Sequence, residues 1–152
     1  MKMSNPLRAT LLAAATILFV TGGCGSRSSA PASGGGAGQV EFVSLSFSEA
    51  LGHARTEKRL VMIDVYTDWC GWCKKLDNET FADRRVAEAL RGVIAIKVNA
   101  EKGGEAVAEQ YHVRGFPTVI FVSGSGEIVR KVEGYVGTDE MLQIVASLKR
   151  PA

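Results

Sequence analysis

Histidine and cysteine are scarce in this chain of 152 residues, with two of the first and three of the second. A structural zinc site wants four ligands, usually as two Cys or His pairs. His53 and His112 stand far apart in sequence, both in segments that read as helix, so a zinc-built fold is not expected. An excess of one charge is also lacking. Eighteen Lys and Arg face 16 Asp and Glu, and setting aside Lys2 and Arg8, which belong to a leader-like start, leaves 16 against 16. Nucleic-acid binding needs a basic stripe or patch, and this balance offers no electrostatic case for one. There is no internal repeat. The uncharged stretch from Ala9 to Thr21 is too short for a comfortable membrane span.

What is present begins with an address. In "MKMSNPLRATLLAAATILFVTGGCGS" a positive start precedes that short apolar stretch, which reads as a secretory signal over residues 1–23. Gly22 and Gly23 lead into Cys24, and the segment resembles the lipobox of bacterial lipoproteins, whose cysteine is lipidated and becomes the mature N-terminus. That family usually carries Leu where this chain has Thr21, so ordinary cleavage to a soluble periplasmic or secreted product is the alternative. From Gly25 to Gln39 runs "GSRSSAPASGGGAGQ", which cannot bury an apolar face and reads as a tether with a reach of roughly 20 Å. Residues 24–39 are thus an anchor cysteine and linker, and residues 40–152 the one domain.

That domain alternates strand-like and helix-like patterns. "VEFVS" predicts a short leading strand, and Ser46 with Glu49 predicts a capping box ahead of a helix with Ala50, Leu51 and Ala54 on its apolar side. "LVMIDVY" and "GVIAIKVNA" read as strands buried on both faces. Lys74 to Leu90 reads as helix, broken near Asp83, and "EAVAEQYHV" as a short helix. "PTVIFVSGSGEIVRKVEG" predicts two strands around a Ser-Gly-Ser-Gly turn, their register set by Val119, Phe121, Ile128 and Val132. A last helix is predicted with Thr138 as its N-cap. The order βαβαβαββα implies an α/β fold with a mixed central sheet flanked by helices on both faces.

Within "TDWCGWCKKL" stand Cys70 and Cys73. A bridge across two intervening residues closes too small a loop to stabilise a fold much. Two-coordinate copper remains open to such a pair. Electron transfer makes sharper demands, and each has a candidate. A thiol at the junction of a buried strand and a helix lies beside unpaired amides and the positive end of the helix, which favours the thiolate on an exposed Cys70. Cys73, one turn further in, would be the less exposed resolving thiol. Asp64, inside an apolar strand, is expected to be buried and held toward a general base's range.

"DVYTDWCGWCK" resembles the active-site segment of the thioredoxin superfamily, and is especially similar to the C-terminal thioredoxin domain of the transmembrane reductase DsbD. The resemblance implies a thioredoxin fold for residues 40–152 and a redox-active Cys70–Cys73 disulfide, with no other cofactor and no metal. It makes Asp64 the acid that takes the proton of the second thiol. It matches Asp77, Thr80 and Phe81 to positions of the DsbD-type domain, although an Asp77 merely solvated on a helix face reads equally well. "RGFPT" matches the loop whose proline, here Pro117, is cis and faces the cysteines, so that backbone from Phe116 pairs with a substrate strand; Thr118 follows. Trp69 matches the tryptophan that packs over the site, and Trp72 is expected to be exposed to partners or packed on the adjacent loop. Lys97 corresponds to a lysine near the buried Asp in thioredoxin, or is an exposed strand end, and Gly134 is a weaker match.

The expectation is an exported thiol-disulfide oxidoreductase of the protein-disulfide reductase type, monomeric, acting on protein thiols and disulfides. It would face the periplasm of a bacterial envelope, held there by a lipid anchor at Cys24 and fed by a membrane electron donor. Three alternatives stay open: a disulfide-forming oxidant, a copper-binding metallochaperone or assembly factor, and a binding module with a vestigial pair. Oxidant and reductant share these residues and differ in potential.

Overall fold

The computed structural model describes residues 38–148. Leader, Cys24 and nearly all of the tether lie outside the described residues. The elements are α1 (Phe47–Glu57), β1 (Val61–Tyr66), α2 (Gly71–Lys75), a π-helical turn (Leu76–Thr80), α3 (Arg84–Ala89), β2 (Ile94–Asn99), α4 (Glu105–Gln110), β3 (Thr118–Val122), β4 (Ile128–Glu133) and α5 (Thr138–Leu148). The four strands lie in the order β2-β1-β3-β4, with β1 parallel to β2 and antiparallel to β3, and β3 antiparallel to β4.

Strand β1 is central, and its apolar residues serve both faces. Val61, Ile63 and Val65 pack with Ala50 and Ala54 of α1, Tyr111 after α4, and Ile120 of β3. Met62 points the other way, toward Leu76, Val86 of α3, and Met141, Ile144 and Val145 of α5. Burying a side chain of this kind contributes about 1.5–3 kcal/mol, so these two layers hold the sheet. The capping box at α1 forms as read: the Ser46 N–H donates to the Glu49 carboxylate at 2.8 Å, and the Glu49 N–H donates to Ser46 Oγ at 3.3 Å. Asp83 caps α3 by accepting from the Arg85 N–H at 2.7 Å, which is why the helical run breaks there.

Five readings are corrected. "VEFVS" makes no strand; among its residues only an isolated parallel bridge, Phe42 to Ala95, joins the sheet. It is an arm, tied by Val40 N–H to the Phe81 carbonyl (2.8 Å) and Val43 N–H to the Ala95 carbonyl (2.9 Å). The run after the cysteines is not one helix: the Phe81 N–H reaches back five residues to the Leu76 carbonyl (2.9 Å), which widens the turn around Asp77. His112 leaves α4 with a φ of 51° and stands beyond the helix. Ile128 is exposed, because β4 is an edge strand at its turn, while Val119 and Val132 pair as expected. Thr138 opens α5 as its first helical residue, and Met141 N–H bonds the Gly137 carbonyl one residue earlier.

Candidate active site

The site forms where β1 ends. Beyond Tyr66 the chain turns sharply, the Cys70 N–H donating to the Thr67 carbonyl at 3.2 Å, and Cys70 becomes the N-cap of α2. Cys70 and Cys73 are joined as a disulfide. The Cys73 N–H donates to Cys70 Sγ at 3.0 Å, so the sulfur satisfies an amide that the helix start leaves free. In the reduced pair that same amide favours a thiolate on Cys70. Both residues are buried, Cys70 at 4% and Cys73 at 3% exposure. The expected contrast in exposure is therefore absent from this oxidised pair: Cys70 is turned onto the Cys73 amide and bonded to its sulfur, which leaves little of it to solvent.

Asp64 shares its strand face with Met62, two residues earlier, which packs in the cluster holding Leu76 and Phe81. It thus lies on the side of the sheet that receives the helical run carrying Cys73. The residue is 1% exposed. Its Oδ2 accepts from Lys97 Nζ at 2.8 Å across the β1–β2 pair, where the two residues stand in register. Lys97 also bonds Asp77, four residues after Cys73, so the two carboxylates share one ammonium. Asp64 Oδ1 is buried with no hydrogen-bond partner. Burial pushes the Asp64 carboxyl above the usual carboxylate range; the Lys97 charge pulls it back, and the Asp77 charge adds to the rise. Burial alone would lower Lys97, but the two carboxylates outweigh it and hold Lys97 above the usual lysine value, hence charged.

Two exposed tryptophans stand beside the pair, Trp69 at 67% and Trp72 at 57% exposure. Trp69 is nonetheless pinned: its indole N–H lies 3.0 Å from both Glu101 carboxylate oxygens, and its ring meets Phe116 edge-on at 6.0 Å. Trp72 leans on Tyr135 at 5.6 Å, and the Lys75 ammonium sits 5.1 and 4.9 Å from the centres of those two rings. The Tyr135 hydroxyl donates to Glu79 at 2.7 Å. The Phe116–Pro117 peptide is cis. Its loop is closed by Thr118 Oγ1 donating to the Gly115 carbonyl at 2.8 Å, and by the Gly134 N–H donating to the Pro117 carbonyl at 2.8 Å. Gly134 does this at a φ of 87°, where a side chain would be strained.

The sequence profile of the thioredoxin-like domain matches residues 47–149. The chain belongs to the thioredoxin-like family. Among characterised relatives, the thiol:disulfide interchange protein DsbD of Haemophilus influenzae is 29% identical over 108 residues, which are 66% of this chain and 19% of that protein. DsbD of Escherichia coli is 30% identical over 93 residues, 58% of this chain and 16% of DsbD. The chain therefore spans about a fifth of the length of the curated relatives it matches. Among solved structures, a candidate disulphide-isomerase of Bacteroides thetaiotaomicron is 34% identical with a TM-score of 0.66, covering 76% of this chain and 98% of that one. Spinach chloroplast thioredoxin f, at 23% identity and a TM-score of 0.60, covers 75% of this chain and 96% of its own and shares the fold.

This thioredoxin-like domain brings Cys70, Cys73, Trp69, Trp72, Phe116, Pro117 and Thr118 to one end of the sheet, and the Trp69–Phe116 contact joins the cysteine loop to the Pro117 loop. It joins Asp64, Lys97 and Asp77 into one cluster, which settles Asp77 as an ion-pair partner and Lys97 as half-buried. His53 stays on α1 beside Glu57, 3.4 Å away. Cys24 lies outside the described residues, and no helix among those described is long and apolar enough to cross a membrane. Glu101 and Tyr135, which fix the two tryptophans from 32 and 63 residues away in sequence, carry no local sequence signal.

Proposed function

We propose that this chain is an exported thiol-disulfide oxidoreductase whose Cys70–Cys73 pair reduces disulfides of envelope proteins. The observation that carries the reading is the bonded pair with Cys70 at the N-cap of α2, its sulfur already accepting the Cys73 amide. In the reduced protein the Cys70 thiolate attacks one sulfur of a substrate disulfide. The S–S bond breaks, one substrate thiolate leaves, and a Cys70–substrate disulfide forms. Asp64, whose Oδ1 is free and whose proton affinity is raised by burial, takes the proton of Cys73. The Cys73 thiolate attacks Cys70 Sγ, the second substrate sulfur leaves as thiolate, and the Cys70–Cys73 disulfide is restored. Two electrons have passed to the substrate, and a donor dithiol returns them by the same exchange run backwards.

Trp69, Trp72 and half-buried Phe116 are the substrate-facing side chains of this reading, aromatic surface beside the disulfide; Pro117 and Thr118 are buried and act by shaping the loop edge on which an extended segment can pair. The likeness to DsbD supports the reducing direction and a membrane-bound donor, and the lipobox-like start supports a lipid anchor at Cys24 on the periplasmic side.

The test is the equilibrium reduction potential of the pair, titrated against dithiothreitol or glutathione buffers and read by Trp69 and Trp72 fluorescence. A reductant is expected near the thioredoxin value of about −270 mV. A value near the roughly −120 mV of DsbA overturns the direction. Absence of any reversible transition overturns the oxidoreductase reading itself.

A further inference from the structure

The arm that replaces the expected first strand ends on the acid–lysine cluster. Lys97 Nζ lies 4.7 Å from the Phe42 ring centre, 5.2 Å from Tyr66 and 5.9 Å from Phe81. With Asp64 and Asp77 taking two of its three N–H groups, the remaining face of the ammonium is turned to aromatic rings. Tyr66 and Phe81 belong to β1 and to the end of the π turn, so the folded body fixes them. Phe42 is different: it is the nearest ring and sits on a segment outside every helix and strand. It is half-buried, with its ring edge-on to Phe81 at 5.2 Å. The arm is held by the two backbone bonds from Val40 and Val43 and by the bridge to Ala95.

We propose that Phe42 is a positioning residue of this site: its ring covers one face of the Lys97 ammonium that links Asp64 to Asp77, and limits the water that reaches it. Uncovering Lys97 lets more water reach the ammonium and the buried Asp64 oxygen that it bonds; Asp77, the ammonium's other partner, is already partly exposed. The charges facing Asp64 are Lys97 from β2 and Asp77 from the π turn, with the Tyr66 ring on its own strand. From β3 it meets Val119, and the arm's Glu41 is exposed. Hydration therefore weakens the burial that raises Asp64, and the carboxyl becomes a weaker base for Cys73. That catalytic consequence rests on the function proposed above; the covering itself does not.

The experiment follows the Asp64 carboxyl by 13C NMR against pH in the oxidised full chain, assigned by its loss in Asp64→Asn. In Phe42→Ala the midpoint moves down by about one pH unit, tenfold in acid dissociation. In Phe42→Leu, which keeps an apolar cover without a ring, most of the wild-type midpoint is retained. A midpoint unmoved in a folded Phe42→Ala chain overturns the proposal, and so does a Phe42→Leu midpoint as low as that of alanine. Should Phe42→Ala not fold, wild-type protein decides: slow hydrogen exchange of the Lys97 ammonium supports the cover, and exchange as fast as at exposed Lys102 overturns it. The pH profile for reduction of hydroxyethyl disulfide, a small probe, separates the two readings. A carboxyl midpoint that moves in Phe42→Ala while the rate profile stays put upholds the cover and removes Asp64 from the mechanism.

Discussion

Replacing Asp64 by Asn changes how stability depends on pH, and the structure gives the sign. The folded carboxyl is raised above its unfolded value of about 3.9, chiefly by burial. A group whose folded midpoint is the higher one stabilises fully below its unfolded midpoint, and that contribution is lost as pH rises through the folded midpoint. Between the two midpoints the folded chain holds one proton that the unfolded chain has released, so stability falls by about 1.4 kcal/mol per pH unit on this account. Asn has no such slope. Glu49, Glu57, Asp68, Asp83 and Glu133 are held below the usual carboxylate range by hydrogen bonds with Ser46, Arg59, Lys102, Arg85 and Lys131. They give the opposite slope at acid pH, equally in both proteins, and cancel in the difference. Urea unfolding of the oxidised chain, followed by far-ultraviolet circular dichroism from about pH 4 to pH 8, measures that difference. Asp64→Asn gains on wild type with rising pH and then levels off once the folded midpoint is passed. A flat difference over the whole range would refute the reasoning, since it would mean that Lys97 offsets the burial of Asp64 in full.

Lys97→Met leaves two carboxylates facing each other without their shared cation, and it should cost about 2 kcal/mol after allowance for the partial exposure of the lysine; urea unfolding at pH 7 checks it. Unchanged stability there would mean that the ion pairs add nothing net. In turnover, Cys73→Ser should accumulate a mixed disulfide through Cys70 that non-reducing electrophoresis resolves, and Cys70→Ser should form none, because Cys73 lies inside α2 and lacks the N-cap amide that favours a thiolate on Cys70. Equal trapping by both variants would reverse the assigned order of attack.

Local signals are legible in the residues themselves. Ser46 and Glu49 cap α1, Asp83 caps α3, and the apolar runs around Ile63 and Ile96 form the buried strands, because each depends on residues within one turn or one strand. The misreadings share a cause. "VEFVS" has strand composition but finds a partner only at Phe42, since the edge of β2 receives it as a short crossing arm. Ile128 alternates like a core residue but falls on the uncovered edge strand. The π turn has no compositional mark, and it places Asp77 where Lys97, 20 residues on, reaches it.

The sequence by itself determined the chemistry: two cysteines at the spacing of a dithiol, an acid inside an apolar strand, and a proline loop downstream. It also determined the alternation of elements, since periodicity and caps act over a few residues. Only the tertiary structure decided what surrounds that chemistry. Asp64 and Lys97 meet because β1 and β2 pair in parallel register, and Asp77 joins them through a widened turn. Trp72 and Tyr135 meet because the Gly134 turn returns the chain from β4 to the Pro117 loop. Burial, ion pairing and aromatic cover are properties of neighbours in space, and for these residues the neighbours lie tens of positions away along the chain.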